Sequence, residues 1–381
     1  MQGLETSTSL CSGAQCAPQN PLCSGAQCAP QNPLCSGAQC APQNPLCSSA
    51  QCAPQNPLCS GAQCAPPPLR GLELSRRYFE AYGAPMLHAR FPEWEDKLAV
   101  GLVGSGSECF GFDDAVSQDH DFEPGFCIFL PEEDVLDRKT EFQLERAYAA
   151  LPKEFLGFSR PKLSPVGGDR RGVIRLGDFL EARTGTRDGA LSLERWLTLD
   201  EQYLAELTGG QLFREGDGAF AAIRARLARQ PADVRCKKLA GRLLLMAQAG
   251  QYNYPRCLAH GEPAAAQLAV AEFVRHAIAV IFLLNQRYLP YYKWQFRALR
   301  QLPLLSDEAE TLELLLTTDN GREMAQAKQD LIENLSSAVI TALQDQKLTE
   351  AVCGDLEKHA YSVNDHIADP ALRNAHILLT V

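Results

Sequence analysis

Two short apolar runs, residues 98–103 and 126–130, bracket a Gly104-Ser105-Gly106-Ser107 turn and an Asp119-His120-Asp121 triplet. Runs of this length, bounded by small residues, read as strands rather than helices. The order is therefore strand, turn, connection and a second strand that opens with two carboxylates. Glycine lets a backbone approach a phosphate closely, and the amides and serine hydroxyls of such a turn donate hydrogen bonds to phosphate oxygens. Residues two apart on a strand point to the same side, so Asp119 and Asp121 are expected to present their carboxylates together. Two such charges repel unless a cation lies between them, and a pair of hard oxygen ligands suits Mg²⁺ or Mn²⁺ carried in by a nucleotide. The expected device is a turn that holds a triphosphate beside a pair that holds its metal.

The same residues resemble the signature of the nucleotidyltransferase superfamily, the polymerase-beta-like fold that includes the antibiotic-type nucleotidyltransferases. That signature is a hydrophobic residue, Gly, Gly or Ser, a connecting stretch, and Asp-x-Asp. Val103, Gly104 and Ser105 match its first part, and Asp119 and Asp121 match its second after thirteen intervening residues; His120 stands where the family has an apolar residue. The fuller string, with Gly106-Ser107-Glu108, Phe112-Asp113-Asp114 and Phe122-Glu123-Pro124-Gly125, is similar to an uncharacterised bacterial branch, a domain of unknown function with a C-terminal helical domain. The resemblance covers roughly residues 70–380.

It implies metal-dependent transfer of a nucleoside monophosphate, AMP from ATP in the first instance, to a hydroxyl of a small molecule, protein or RNA. Asp119 and Asp121 would be catalytic and hold the metal, while Gly104, Ser105 and Ser107 bind the nucleotide. Active members often place a third carboxylate on the following core strand, where this chain has Arg175 at the central position. Glu123 is the expected substitute, with Asp178 and Glu181 as further candidates. A nucleotide-binding regulator or antitoxin-like partner that has lost transfer stays open, as does an interaction protein acting through the N-terminal tail.

That tail, residues 1–68, holds five copies of a twelve-residue unit beginning at Leu10, Leu22, Leu34, Leu46 and Leu58, and ten of the fifteen cysteines. Rich in Pro, Gly, Ser and Gln, and almost uncharged beyond Glu5, it is expected to be disordered. One Leu per unit leaves too little for a stacked solenoid to bury, and Cys-x4-Cys is wider than the usual spacing of structural zinc sites.

The expected fold is an α/β (α+β) nucleotidyltransferase-like core with a small mixed sheet over residues 69–188, followed by an all-α substrate-binding domain over residues 189–381. In the first part the pattern predicts a leading helix over 69–82, a mixed connection over 84–95, a helix over 132–150 and a third strand over 173–176. In the second it predicts helices over 192–207, 217–229, 232–250, 263–287, 294–302, 307–316 and 321–343. Two clusters there combine aromatic, amide and cationic groups beside prolines. Tyr252, Asn253 and Tyr254, and Asn285, Tyr288, Tyr291, Tyr292 and Trp294, are expected to line an acceptor site, with Arg256 and Lys293 on phosphate. The plain alternative is that they pack helix ends.

A net charge of −10 argues against a general nucleic-acid-binding surface. The longest continuous apolar run, residues 277–284, is too short to span a bilayer, and no basic-then-apolar leader opens the sequence, so no membrane partner and a cytoplasmic location are expected. The other histidines show no metal-ligand spacing, and the five cysteines outside the tail read as reduced thiols.

Overall fold

Alternation along the first two apolar runs decides how the sheet sits. The computed structural model describes residues 69–114, 116, 122–160 and 171–380, all within a unit formed by residues 66–381. The strands are β1 (Ala99–Leu102), β2 (Cys127–Leu130), the two-residue β3 (Glu154–Phe155) and β4 (Phe158–Ser159), β5 (Gly172–Arg175) and β6 (Gln211–Arg214). Four of them form one mixed sheet in the order β5-β2-β1-β6. β1 lies antiparallel to β2, Val100 opposite Ile128, and antiparallel to β6; β5 lies parallel to β2, Ile128 opposite Val173. β3 and β4 pair as a separate hairpin.

Leu98, Val100, Ile128 and Leu130 point to one face of the sheet and Ala99, Val103, Cys127 and Phe129 to the other, and all are buried. Helices must therefore cover both faces. The first face is covered by α1 (Gly71–Tyr78), a π-turn (Phe79–Gly83), α2 (Ala84–Arg90) and α3 (Arg138–Ala149), through Tyr78, Phe79, Leu87, Leu144 and Tyr148. Tyr148 fixes the start of β2: its hydroxyl donates to the Phe126 carbonyl (2.9 Å) and accepts from the Phe126 amide (3.1 Å).

The second face opens onto α4 (Leu176–Thr184), α5 (Leu193–Thr198), α6 (Glu201–Thr208) and α7 (Ala219–Leu227). One apolar core runs from there into α8 (Ala232–Met246), a second π-turn (Ala247–Asn253), α9 (Tyr254–Ala259), α10 (Pro263–Leu284), α11 (Gln295–Leu299), α12 (Glu308–Thr317), α13 (Arg322–Asp345), α14 (Leu356–Asp365) and α15 (Pro370–Asn374). α10 is long and apolar enough, by length and composition, to cross a membrane, yet 67% of its most apolar window is buried inside the protein, as befits the central helix of a bundle. Two buried lysines tie the ends in: Lys237 donates to Asn364 (2.9 Å) and the Ala375 carbonyl (2.6 Å), and Lys328 to Gln267 and the Thr318 carbonyl, both at 2.8 Å.

Several sequence expectations need correction. The leading helix does not stop at residue 82: α2 continues it through the π-turn, and both π-turns precede a proline in the first turn of the next helix, Pro85 and Pro255. A proline lacks the amide an uninterrupted helix would need and clashes with the carbonyl one turn back, a conflict a wider turn relieves. The helix expected over 132–150 begins at residue 138, because Asp137 caps it by accepting from the Thr140 amide (2.8 Å). The helix expected over 192–207 is two, broken where Asp200 caps α6. The all-α expectation for 189–381 fails at β6, which supplies the sheet's edge. The match is close enough that a Cβ on Gly101 would lie 2.3 Å from the Gln211 carbonyl oxygen, at a shift in register between β1 and β6.

Candidate functional site

A cleft of about 290 Å³ opens where β1 ends. Its floor is Leu102, Val103 and Ile174, and its rim is the turn Gly104, Ser105 and Gly106. Gly104 has φ +138°, in the left-handed region where a side chain is strained, and Ser105 is exposed while Gly104 and Gly106 are buried. A 3₁₀ turn, Ser107–Phe110, follows. Among the described residues, the amides of Ser105, Gly106 and Ser107 have no hydrogen-bond partner. The turn thus leaves three backbone donors unpaired beside the cleft, with the Glu108 carboxylate packed against Gly106.

The facing wall is α4. Arg183, unforeseen from the sequence, lies with its guanidinium carbon 4.0 Å from the Phe179 ring centroid. It donates through Nε to Glu206 (3.1 Å) and through Nη1 to the Phe179 carbonyl (3.2 Å). Its Nη2 reaches to within 3.7 Å of where a Cβ on Gly104 would sit. The one local signal was a cation four residues after Phe179, on a helix face that is otherwise apolar. Asp178 also lines the cleft, but its carboxylate pairs with Arg187 at 2.5 Å; Arg187 additionally binds Glu181 (3.1 Å) and Glu132 (2.8 Å). These hydrogen bonds raise the Arg187 pKa, the Glu132 one foremost. Asp178 and Glu181 thus act as one end of a surface clamp.

Beneath the turn lies a buried ion triad. Arg171 bridges Glu108 and Glu123, 3.2 Å to each. Burial alone would lower the Arg171 pKa, and the two carboxylates outweigh it and raise it. Glu123, expected as the substitute third carboxylate on a strand shared with the aspartates, is not on a strand: β2 begins at Cys127, and Glu123 is held in the irregular approach to it. Asp119 and Asp121 lie outside the described residues. On β5, Ile174 lines the cleft, while Arg175 points away and donates to the Pro131 carbonyl and to Glu141, both at 2.7 Å. Among the described residues no group of three or more His, Cys, Asp and Glu side chains is placed to hold a metal ion, and the acids at the cleft, Glu108 and Asp178, are each engaged by an arginine. The described residues do not make a metal site. Burial pushes the Cys127 thiol up to about 11 and raises that of Cys109 further, so neither is a ready nucleophile.

The string around residues 110–114 is structural. Asp113 is buried and accepts from the Gly71 amide (2.7 Å), capping α1 from a distance in sequence. Phe112 lies 5.7 Å, ring to ring, from Trp294, and Arg297 donates to the Phe112 carbonyl (2.6 Å). Of the two aromatic clusters, the one around Trp294 is thereby brought against the loop that follows the Gly-Ser turn.

The other cluster is held elsewhere. Tyr254 is fully buried, its hydroxyl bonded to Asn320 and the Ala325 carbonyl, both at 3.2 Å. Arg256 sits over the Tyr252 ring (5.0 Å), with Tyr252 and Asn253 exposed. Asn285 caps α10 through the Ile281 carbonyl (2.8 Å) and latches Leu304, and the Tyr288 hydroxyl donates to the Leu227 carbonyl (2.5 Å). Tyr291 and Tyr292 are exposed and lean on each other at 4.4 Å, and Lys293 is exposed over Trp294 (5.0 Å). Tyr254, Asn285 and Tyr288 therefore pack helix ends.

Over residues 196–295 the chain matches the model of a family described as a domain of unknown function, DUF4037. The matched segment runs from the second half of α5 through α10 to Trp294, and leaves out the Gly-Ser turn and the aspartate pair. No curated protein and no solved structure gives a significant match.

Proposed function

We propose that the protein binds a nucleoside triphosphate at the Gly104-Ser105 turn and transfers its nucleoside monophosphate, AMP from ATP in the first instance, to a hydroxyl acceptor. The observation that carries this reading is the convergence, in one cleft at the end of β1, of unpartnered amides from the turn and the Arg183 guanidinium from α4. Amides and an arginine on opposite walls are the donor set that polyphosphate oxygens require. The sheet order also supports it: the turn strand β1, the strand β2 that follows the aspartates and the third strand β5 are successive neighbours.

In this reading the amides of Ser105 to Ser107 orient the β- and γ-phosphates, and Arg183 offsets charge that develops as pyrophosphate leaves. The acceptor oxygen bonds to the α-phosphorus, the bond to pyrophosphate breaks, and the hydroxyl proton passes to solvent. Asp119 and Asp121 would hold Mg²⁺ that arrives with the nucleotide and steadies the same charge. Trp294, beside the loop after the turn, and its exposed neighbours Tyr291, Tyr292 and Lys293 would face the acceptor.

A nucleotide-binding regulator without transfer is the second reading, favoured by one observation: the third strand turns Ile174, not a carboxylate, toward the cleft. Incubation with ATP labelled at the α-phosphate, Mg²⁺ and a cell extract separates the two. Label appearing on an acceptor, and lost with Asp119→Asn or Asp121→Asn, supports the enzyme. Mg²⁺-dependent ATP binding with no transfer supports the regulator, and the absence of ATP binding removes both.

A further inference from the structure

A second cleft, of about 400 Å³, lies in the helical part between the α5–α6 corner, α8 and α10. Nine of its eleven lining residues fall within the matched segment 196–295, which does not include the Gly-Ser turn. Four of its residues carry charge: Asp200, Glu201, Lys238 and Arg242.

Two of these charges cancel inside the wall. Glu201 pairs with the buried Lys238 (3.1 Å), and its second oxygen accepts the Leu289 amide (3.3 Å). Arg242 is different. Among the described residues it has no carboxylate partner, and its only hydrogen bond is to Nδ1 of His276 (3.3 Å). His276 is buried, and burial first, then the charges of Arg275 and Arg242, lower its pKa to about 4, so near neutral pH it is the uncharged acceptor that such a bond needs. One hydrogen bond leaves most of the guanidinium's donors unsatisfied. Arg275, its positive neighbour, is already bound to Glu272 (2.7 Å).

Asp200 provides the complementary charge. One of its oxygens caps α6 by accepting from the Gln202 amide (3.1 Å), and the other bonds to no described residue. Asp200 and Glu201 both act on Arg242 through space, yet no ion pair joins either to it. The Thr380 hydroxyl, buried and without a hydrogen-bond partner among the described residues, adds a neutral polar group to the same wall. Leu197, Leu199, Ala279, Leu289 and Leu379 supply the apolar remainder.

A cleft with one unengaged cation, one half-engaged anion and an aliphatic wall suits a small zwitterion with an apolar side chain. We propose that this cleft binds a free α-amino acid, its carboxylate on Arg242 and its ammonium group toward Asp200. A guanidinium takes a carboxylate through two parallel hydrogen bonds, and a compact ammonium group fits a single exposed carboxylate. The inference does not rest on the nucleotide reading, since the two clefts share no residue.

The test is thermal unfolding of the full-length protein with each proteinogenic amino acid, followed by calorimetric titration with the strongest one. A ligand that binds only the folded state raises the midpoint with its concentration. At least one aliphatic amino acid should do so, and its amide and its deaminated analogue should both bind about tenfold more weakly or worse. Arg242→Gln and Asp200→Asn should each weaken binding by a similar factor. Asn caps helices about as well as Asp, so the second variant keeps α6 intact and guards against a misfolded Arg242 variant. No response to any amino acid overturns the proposal. So does equal binding of the deaminated analogue or of inorganic phosphate, which would mark a simple anion site, or unchanged affinity in Asp200→Asn.

Discussion

Arg297 and Asp114 form an ion pair of 3.0 Å that ties α11 to the loop following the Gly-Ser turn. The same guanidinium donates to the Phe112 carbonyl and lies over the rings of Phe112 (5.6 Å) and Trp294 (5.9 Å). Both members of the ion pair are partly exposed, so its Coulombic share is small and screened, and the carbonyl bond and ring packing carry more. Asp114→Asn should therefore cost well under about 1 kcal/mol, and Arg297→Ala about 1–2 kcal/mol. Urea unfolding followed by tryptophan fluorescence measures both. Equal losses in the two variants would show that the charge pair dominates.

The residues around this latch show what the sequence could and could not reveal. β1 and β2 were legible because each is a short apolar run buried on both faces, β5 because the β-branched pair Val173-Ile174 follows directly on Gly172, and the Gly-Ser turn because small polar residues stand where an apolar run ends. β6 was not, because Gln211 to Arg214 is a half-buried edge strand between helices, and its place is set by close approach to Gly101, a tertiary contact. The continuation of the leading helix was hidden by Pro85, which reads as a breaker yet sits in the first turn of α2. Arg183 could not be placed for a similar reason: a cation four residues after Phe179 stood in the sequence, but only the folded sheet brings α4 opposite Gly104. Tyr254 and Asn285 have the composition of a binding cleft, and their hydrogen bonds are spent inside the protein.

The Arg171 triad separates a structural role for Glu123 from a catalytic one. Arg171→Met leaves Glu108 and Glu123 uncompensated and should cost about 3–5 kcal/mol. Glu123→Gln keeps the shape and one acceptor, at about 1 kcal/mol, and should leave Mg²⁺-ATP affinity within about twofold of wild type. Unfolding curves and ATP titration on the same samples read both quantities. A Glu123→Gln protein of full stability that no longer binds Mg²⁺-ATP would return Glu123 to the metal site.

His276 should make stability depend on pH. Its pKa is held at about 4 in the folded protein against about 6.5 unfolded, by burial and then by Arg275 and Arg242, which together outweigh the Glu272 carboxylate 3.4 Å from Nε2. Between those values the unfolded chain binds the proton that the native protein refuses. Stability is thus complete above pH 6.5 and falls as pH drops toward 4, by on the order of 3 kcal/mol in all. Glu95 and Glu272, whose carboxyls are held below their ordinary value of 4.5 by hydrogen bonds to His88 and Arg275 respectively, add their losses as pH falls below that value. Urea midpoints measured from pH 7.5 to 4.5 should slope downward in wild type and be nearly flat in His276→Gln. A flat wild-type profile would show that the imidazole is solvated or that its charged neighbours rearrange.

The cleft at the end of β1 gives the most direct comparison of cations. Arg183 is partly buried on an aromatic ring and faces the turn, whereas Arg256 and Lys293 are exposed over their rings and are screened by water and salt. The sequence pointed to the latter two for phosphate; the geometry favours the first. Arg183→Ala should weaken binding of Mg²⁺-ATP, and of tripolyphosphate, by about tenfold or more, while Arg256→Ala and Lys293→Ala change it by no more than about threefold. Gly104→Ala should have an effect as large as that of Arg183→Ala for a different reason. At φ +138° the added methyl strains the turn by about 1–3 kcal/mol and tilts the amides away from the ligand. Tripolyphosphate matters because it lacks the base and ribose. If ATP affinity falls in Arg183→Ala while tripolyphosphate affinity does not, Arg183 contacts the nucleoside, and the phosphates lie elsewhere than between α4 and the Gly104-Ser105 turn.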